Sequence, residues 1–476
     1  MSVGGFGRLR NVRIRRCLCG AGVPGREITV VRGIRSVGFG SILLLSVALA
    51  WSSVAAADCP FGWPGQPAIP GVETTVEAIT VWDPDGSGPQ PSVLVVGGST
   101  NNPATGQNSG SVATWDGTTW TQLGSGMNDQ VKALSVHNGM LIVGGLFIIA
   151  DGNTVNCIAW WDGATWQSLG GGVTAAFPPK VHALLNYNGN LLVGGGFTTA
   201  GGQGISRSIA LWDGQGWQSM SPGLNAAVVA MTTFNGELVV GGAFTATVGA
   251  GGGAPVNCIA QRAGNSWQPM PAGVNNGMDN HVHALTVFGG DLIAGGLFTM
   301  AGGTTAHSIA RWDGNTWNPL GAGMGGTDPT VNALAVYEGK LIAGGRFSTA
   351  DGHPANYIAQ WDGNGWQELG SGFNKRVEAL TVHDGALIAG GFFTNGNNVN
   401  TAYVARWPGC VRGDMNCDQL IDAADVPLFI DALLTAPAIS TCDAHIANMN
   451  NDFASDGDPR VDGSDVPDFV AAVLGS

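Results

Sequence analysis

Residues Val282 to Met324 read VHALTVFGGDLIAGGLFTMAGGTTAHSIARWDGNTWNPLGAGM, and this stretch decides the fold. Its first piece alternates apolar and polar residues (V-x-A-L-x-V) and ends at Gly289-Gly290, a pair suited to a tight hairpin. An apolar run, L-I-A-G-G-x-F, follows, then I-A-x-W, then W-x-x-L-G. Between the last two sits Asp-Gly, a strong short hairpin signal. The same wording opens at Val76, Val131, Val181, Val228, Val282, Val331 and Val377. Four strand-like pieces recurring about every fifty residues describe the blade of a β-propeller. The expectation is an all-β, seven-bladed propeller.

The paired glycines after the second strand and the later aromatic pair resemble the kelch repeat. The fuller wording G-G-x-F-x-x-A-G-G … I-A-x-W-D-G-x-x-W-x-x-L-G-x-G is similar to the propeller ectodomain of fungal cortical polarity-marker proteins. The resemblance covers residues 76–409. It implies a fold and leaves function open, because propellers host enzymes, binders and scaffolds. It also implies that the first strand of each blade lies innermost. The second residue of that strand is Glu77, Lys132, His182, Val229, His283, Asn332 and Glu378 in turn. By this resemblance these side chains meet around one level of the central channel, as a polar binding ring or a metal site. A hydrated channel also tolerates such residues with no function. His137 and His383, each followed by a turn, read as exposed strand-end residues.

Outward from the repeat, the composition is rich in Gly (77 residues) and poor in charge (11%). The glycines fall at fixed blade positions and so read as turn chemistry rather than low complexity. Residues 1–57 read as an export leader. Arginines precede the apolar stretch ILLLSVALAW (42–51), which is too short to span a bilayer, and Ala55-Ala56-Ala57 supplies a small-residue cleavage site. The basic preamble is long for such a leader, which is consistent with a start codon downstream of Met1. The leader carries eight Arg and one Glu, so its removal takes the formal net charge from −14 to about −21. So acidic a chain argues against nucleic acid and anionic membranes as partners. No later apolar stretch reaches spanning length. The expected location is secreted, periplasmic or at the cell surface.

Six cysteines remain after the leader. The seventh copy stops at Trp407-Pro408-Gly409-Cys410, where other copies continue into a fourth strand. Cys59-Pro60-Phe61-Gly62-Trp63, at the other end, can supply that strand and close the ring. A Cys59–Cys410 disulfide across this seam is the expectation, worth roughly 5 kcal/mol at most in the chain-entropy picture; the alternative is two unrelated thiols. Cys157 and Cys258 share one repeat position on blades that are not neighbours, and read as small buried hydrophobes.

Beyond Cys410 the chemistry changes. Residues 414–425 read DMNCDQLIDAAD, with apolar Phe429, Ile430, Leu433 and Leu434 following at helical spacing. A hard cation needs six or seven oxygens from a short segment, and alternating carboxylates and amides supply them. Asp414, Asn416 and Asp418 fill loop positions one, three and five. The Leu420 carbonyl fills seven, Asp422 nine and Asp425 twelve. A second version runs from Asn448, Asn450 and Asp452 to Asp462 and Asp465, about six residues longer than the first, with Asp456 and Asp458 as rival ligands. The other reading is a polar turn with Asp425 as helix N-cap. The segment 411–476 resembles a type I dockerin, a small helical module that binds one or two Ca2+ ions and docks onto cohesin domains. Position six, glycine in that family, is Gln419 here. The family's Ser/Thr contact pair is Ala423-Ala424 in one copy and Gly463-Ser464 in the other, so calcium binding transfers better than cohesin binding. Cys417 and Cys442 are left as a pair.

The chain shows no nucleophile elbow, no H-E-x-x-H and no phosphate loop. Its carboxylates fall largely in the repeated Asp-Gly turns (Asp116, Asp162, Asp213, Asp313, Asp362), where the hairpin accounts for them. The domain reading is therefore a leader (1–57), a propeller (58–410) and a dockerin-like domain (411–476). The function expected is non-catalytic binding or scaffolding, attached through calcium to a cohesin-like or cell-surface partner. The alternative is a carbohydrate-active hydrolase or lyase working at the channel mouth on a glycan. A third possibility is a tail that only stabilises.

Overall fold

The computed structural model describes residues 69–407, apart from 87, 102–107, 205–206, 249–252, 271–276, 397–398 and 402. The leader, Cys59, Cys410, Cys417, Cys442 and every calcium-loop residue lie outside the described residues. Among the described residues the chain is all β, with no helix.

Six antiparallel sheets of four strands succeed one another, and a seventh has three strands among the described residues. The cleanest copy is typical. Val282–Phe288 pairs with Asp291–Gly296, which pairs with Ile309–Trp312, which pairs with Trp317–Pro319. Each first strand packs against the first strand of the next sheet, and the last, Val377–His383, packs against the first, Thr75–Trp82. The inner strands thus form a closed ring, and the molecule is a β-propeller.

The first hairpin of most sheets closes in two residues, both left-handed. Asn138-Gly139 has φ of 50° and 78°, and Glu338-Gly339 has 48° and 71°. Such turns match the right-handed strand twist. The first sheet differs. Trp82 pairs with Val93, leaving residues 83–92 as a long connection.

The Asp-Gly signal marks the right place by a different mechanism. Trp115 pairs with Trp120, so the loop holds Asp116 to Thr119 and is not a two-residue turn. Asp116 Oδ1 accepts the backbone N–H of Thr118 (2.7 Å) and Thr119 (2.8 Å). Asp162, Asp213, Asp313 and Asp362 repeat that arrangement. The carboxylate organises the turn, and the glycine takes the left-handed residue, with φ of 99° at Gly117. These N–H bonds hold the Asp116 and Asp162 carboxyls below their ordinary range.

The core lies in the seams between sheets. One cluster joins Ile293, Ile309 and Leu320 of the fifth sheet to Val331, Leu341, Phe347 and Trp366 of the sixth. Another joins Val76, Leu94 and Val96 to Ala386, Ile388 and Val404, which closes the ring. The G-G pair belongs to this seam. A Cβ on Gly241 would run into Val282 of the next sheet, and one on Gly242 would run into the Ala227 carbonyl. The last pair returns to the start, with Gly390 facing Val76. Fourth-strand tryptophans stitch the same seams. Trp166 Nε1 donates to the Leu123 carbonyl (3.1 Å), Trp317 to Met270 (2.8 Å) and Trp366 to Leu320 (3.0 Å). In the fourth sheet Arg262 stands where other copies have W-D-G tryptophan. It stays buried, lies 4.9 Å over the Trp267 ring and donates to the Ser221 carbonyl at 2.9 Å. Cys157 and Cys258 are free, buried thiols, pushed up to about 12 and about 11 chiefly by burial.

Candidate functional site: the channel ring

In every first strand the pairing register slips at one residue. Val76 and Ala78 face Gly98 and Gly97, so Glu77 has no partner of its own. The same slip skips Lys132, His182, Val229, His283, Asn332 and Glu378. A β-bulge bends the strand and re-aims the extra side chain. The residue that varies from copy to copy is therefore the bulged residue, and all seven are half-buried.

The structure brings most of these side chains together. Lys132 Nζ forms an ion pair with Glu77 Oε2 across the first two sheets, and the Glu77 side chain is 7% exposed. Asn332 Nδ2 donates to Glu378 Oε2 (3.1 Å) and to the Val377 carbonyl (3.2 Å). On its other side Asn332 Oδ1 lies 3.4 Å from His283 Nδ1. His182 and His283 stand either side of the sheet that contributes Val229. Among the described residues no group of three or more His, Cys, Asp or Glu is disposed to hold a metal ion.

A second tier, the residue before each opening valine, enters the site. Arg376 pairs with Glu378 Oε1 and lays its guanidinium 3.6 Å from the Phe392 ring. The His281 and His283 rings are 6.2 Å apart. Each lies two positions before its ring residue, and strand alternation puts positions i and i+2 on one face. That spacing was the available sequence signal.

Burial and charge set the protonation states. His182 is lowered to about 4, first by burial and then by Lys132, Lys180 and His283. Burial also lowers His283, against the hydrogen bond to Asn332. Both imidazoles are neutral at pH 7. Glu378 is raised by burial, and the neighbouring Glu77 adds to the rise while Arg376 and Lys132 oppose it. Two carboxylates thus face three cations, Lys132, Lys180 and Arg376, beside two neutral imidazoles and an amide. Such a collar offers donors and acceptors to a polar ligand of small net charge.

His137 and His383 are corrected by the structure. His137 is 3% exposed, with Nδ1 2.7 Å from Asn186 Oδ1 of the next sheet. The His383 side chain is 9% exposed, its Nδ1 3.6 Å from Asp384 Oδ2. For His137 the cover comes from the neighbouring sheet, which a single-strand pattern does not reveal.

No protein-family profile matches the chain, and no curated protein sequence does. Among solved structures, the WD40 propeller domain of Doa1 is 12% identical with a TM-score of 0.41, covering 73% of this chain and 96% of that one. Sqt1 from Chaetomium thermophilum is 12% identical with a TM-score of 0.40, covering 74% and 91%. YCF48 from Cyanidioschyzon merolae is 11% identical with a TM-score of 0.37, covering 72% and 98%.

Proposed function

We propose that this protein is an exported, non-catalytic binding or scaffold propeller of seven blades, held to a partner by its C-terminal segment. The observation that supports the binding role is the ring. Its members occupy the one repeat position that a bulge frees from pairing, and there the chain varies its chemistry. The ligand of the channel is polar and carries little net charge, matching the paired charges of Glu77, Lys132, Glu378 and Arg376. A glycan fits that description.

The attachment rests on the donor set of 411–476. Asp414, Asn416, Asp418, the Leu420 carbonyl, Asp422 and Asp425 are oxygen ligands at the spacing a Ca2+ ion takes, and the set from Asn448 to Asp465 repeats the pattern. Bound calcium would order the loop and its following helix for a cohesin-like or cell-surface partner. Cys59–Cys410 and Cys417–Cys442 are the proposed disulfides of an exported chain. Calorimetric calcium titration of the full mature chain tests this, followed by a pull-down from the secreted fraction with calcium or chelator. Saturable calcium binding that D414A/D418A removes, with a calcium-dependent partner, is the expected result. Absence of calcium binding overturns the attachment.

One observation favours a second reading, a carbohydrate-active enzyme. Glu378 is raised while Glu77 beside it faces Lys132, the asymmetry an acid and base pair needs. Turnover of any glycan that E378Q abolishes would establish it.

A further inference from the structure

The collar of the channel has two unlike arcs. Over the sixth, seventh, first and second sheets every charged group of the collar is engaged. Lys132 pairs with Glu77, Arg376 pairs with Glu378, and Asn332 donates to Glu378 at 3.1 Å. Over the third, fourth and fifth sheets the same two positions of each first strand hold Lys180 and His182, Ala227 and Val229, and His281 and His283. None of these is a carboxylate. Among the described residues the Lys180 side chain has no ion-pair partner, and neither it nor the His182 and His281 rings has a hydrogen-bond partner. The nearby Asp279 directs its oxygens to the Thr299 hydroxyl and to the N–H groups of Thr299 and Met300.

These unpartnered groups share one space. The charges of Lys180 and His283 both reach His182, and the His281 and His283 rings lie 6.2 Å apart. Between the two histidine-bearing sheets, the fourth sheet presents only the small side chains of Ala227 and Val229 at these positions. An ammonium and neutral imidazole N–H groups are donors, and they suit an anion. The same ammonium opposes a metal ion among the imidazoles. Lys180 is half-buried, which strengthens its attraction for a negative group. One ammonium offsets one negative charge. Glu77 and Glu378 across the collar, and a chain of formal net charge −14, repel a densely charged polyanion.

We infer that this arc binds a sugar unit bearing a single negative charge, a carboxylate or a sulfate ester, with that group held by Lys180 and His182. The inference rests on the reading of the channel as a glycan site and adds the charge that the glycan carries. Specificity follows from the arc as well, because a neutral sugar leaves the Lys180 ammonium without a counter-charge.

Isothermal calorimetry of the full chain tests it against neutral gluco-, xylo- and manno-oligosaccharides and the same chains bearing one uronic-acid unit or one sulfate ester. One charged series should bind about tenfold or more tighter than its neutral parent, the usual worth of a hydrogen bond to a charged group. K180M should bring the charged chain to the affinity of the neutral one at an unchanged melting temperature. K180R should keep most of the preference, and H281Q, on the exposed rim, should weaken it less than K180M does. R311Q removes an exposed cation from a third strand and should leave the preference unaltered. Which charged series binds tighter separates carboxylate from sulfate ester. Equal binding of charged and neutral chains overturns the inference and leaves the channel reading in place, as does a preference that K180M retains. Binding of no series overturns the inference together with the glycan reading.

Discussion

The seams between sheets and the ring at their centre are built from the same strands and follow opposite rules. Most seams repeat their parts: the opening valine, the glycine it faces, the phenylalanine after the pair, and a tryptophan donating to the preceding sheet. The ring keeps its place and changes its side chain. Glu77, Lys132, His182, Val229, His283, Asn332 and Glu378 share a bulge and no single chemistry. A seam residue must fit two sheets at once, whereas a bulged residue has no strand partner to satisfy. The architecture therefore leaves this channel position free to vary.

That contrast can be broken most sharply at a seam tryptophan. Trp166 is fully buried, and W166A removes both its ring packing and its bond to Leu123. A loss of about 3–5 kcal/mol is expected in denaturant unfolding. Next comes Gly241, where G241A drives a methyl into Val282 and Leu285. Overpacking of this kind costs about 1–3 kcal/mol, read the same way.

The ring should respond to pH. His182 titrates at about 4 in the folded protein against 6.5 unfolded, so the unfolded chain binds more protons between those values. Stability is thus expected to fall as pH drops from 6.5 toward 4, by up to about 3 kcal/mol from this residue, and H182N should lack that share. Unfolding of both proteins at pH 7 and pH 4 checks it. A smaller effect attends the ion pair. K132M leaves the Glu77 carboxylate 7% exposed without its cation, while Lys132 itself is 28% exposed and partly screened. A loss of about 1–2 kcal/mol is expected, with E77Q/K132M recovering most of it in a double-mutant cycle. The smallest effect belongs to Val229, where V229N should change stability by no more than about 0.5 kcal/mol. A change there as large as that of G241A would erase the distinction between seam and ring.

The strands and their order were legible because their signals are local. Period-two alternation, left-handed pairs such as Asn138-Gly139, and the tryptophan flanks of each Asp-Gly loop act within a few residues. Two failures share a cause as well. His137 looks exposed on an isolated strand, and becomes covered only when Asn186 of the next sheet arrives. The Asp-Gly loops were legible as turns but not as carboxylate-organised ones, since Asp116 finds its N–H donors only in the folded loop. Arg376 and His281, two residues before Glu378 and His283 and so on the same strand face, were legible by alternation and were missed.

By itself the sequence determined the repeat, the four strands of each unit, their turns and the apolar faces that had to be covered, all properties of short range. Tertiary structure alone decided which of the ring side chains touch and in what protonation state. Those residues lie about fifty positions apart, reach one another only when the ring closes at Gly390 and Val76, and take their shifted pKa values from burial that no single blade provides.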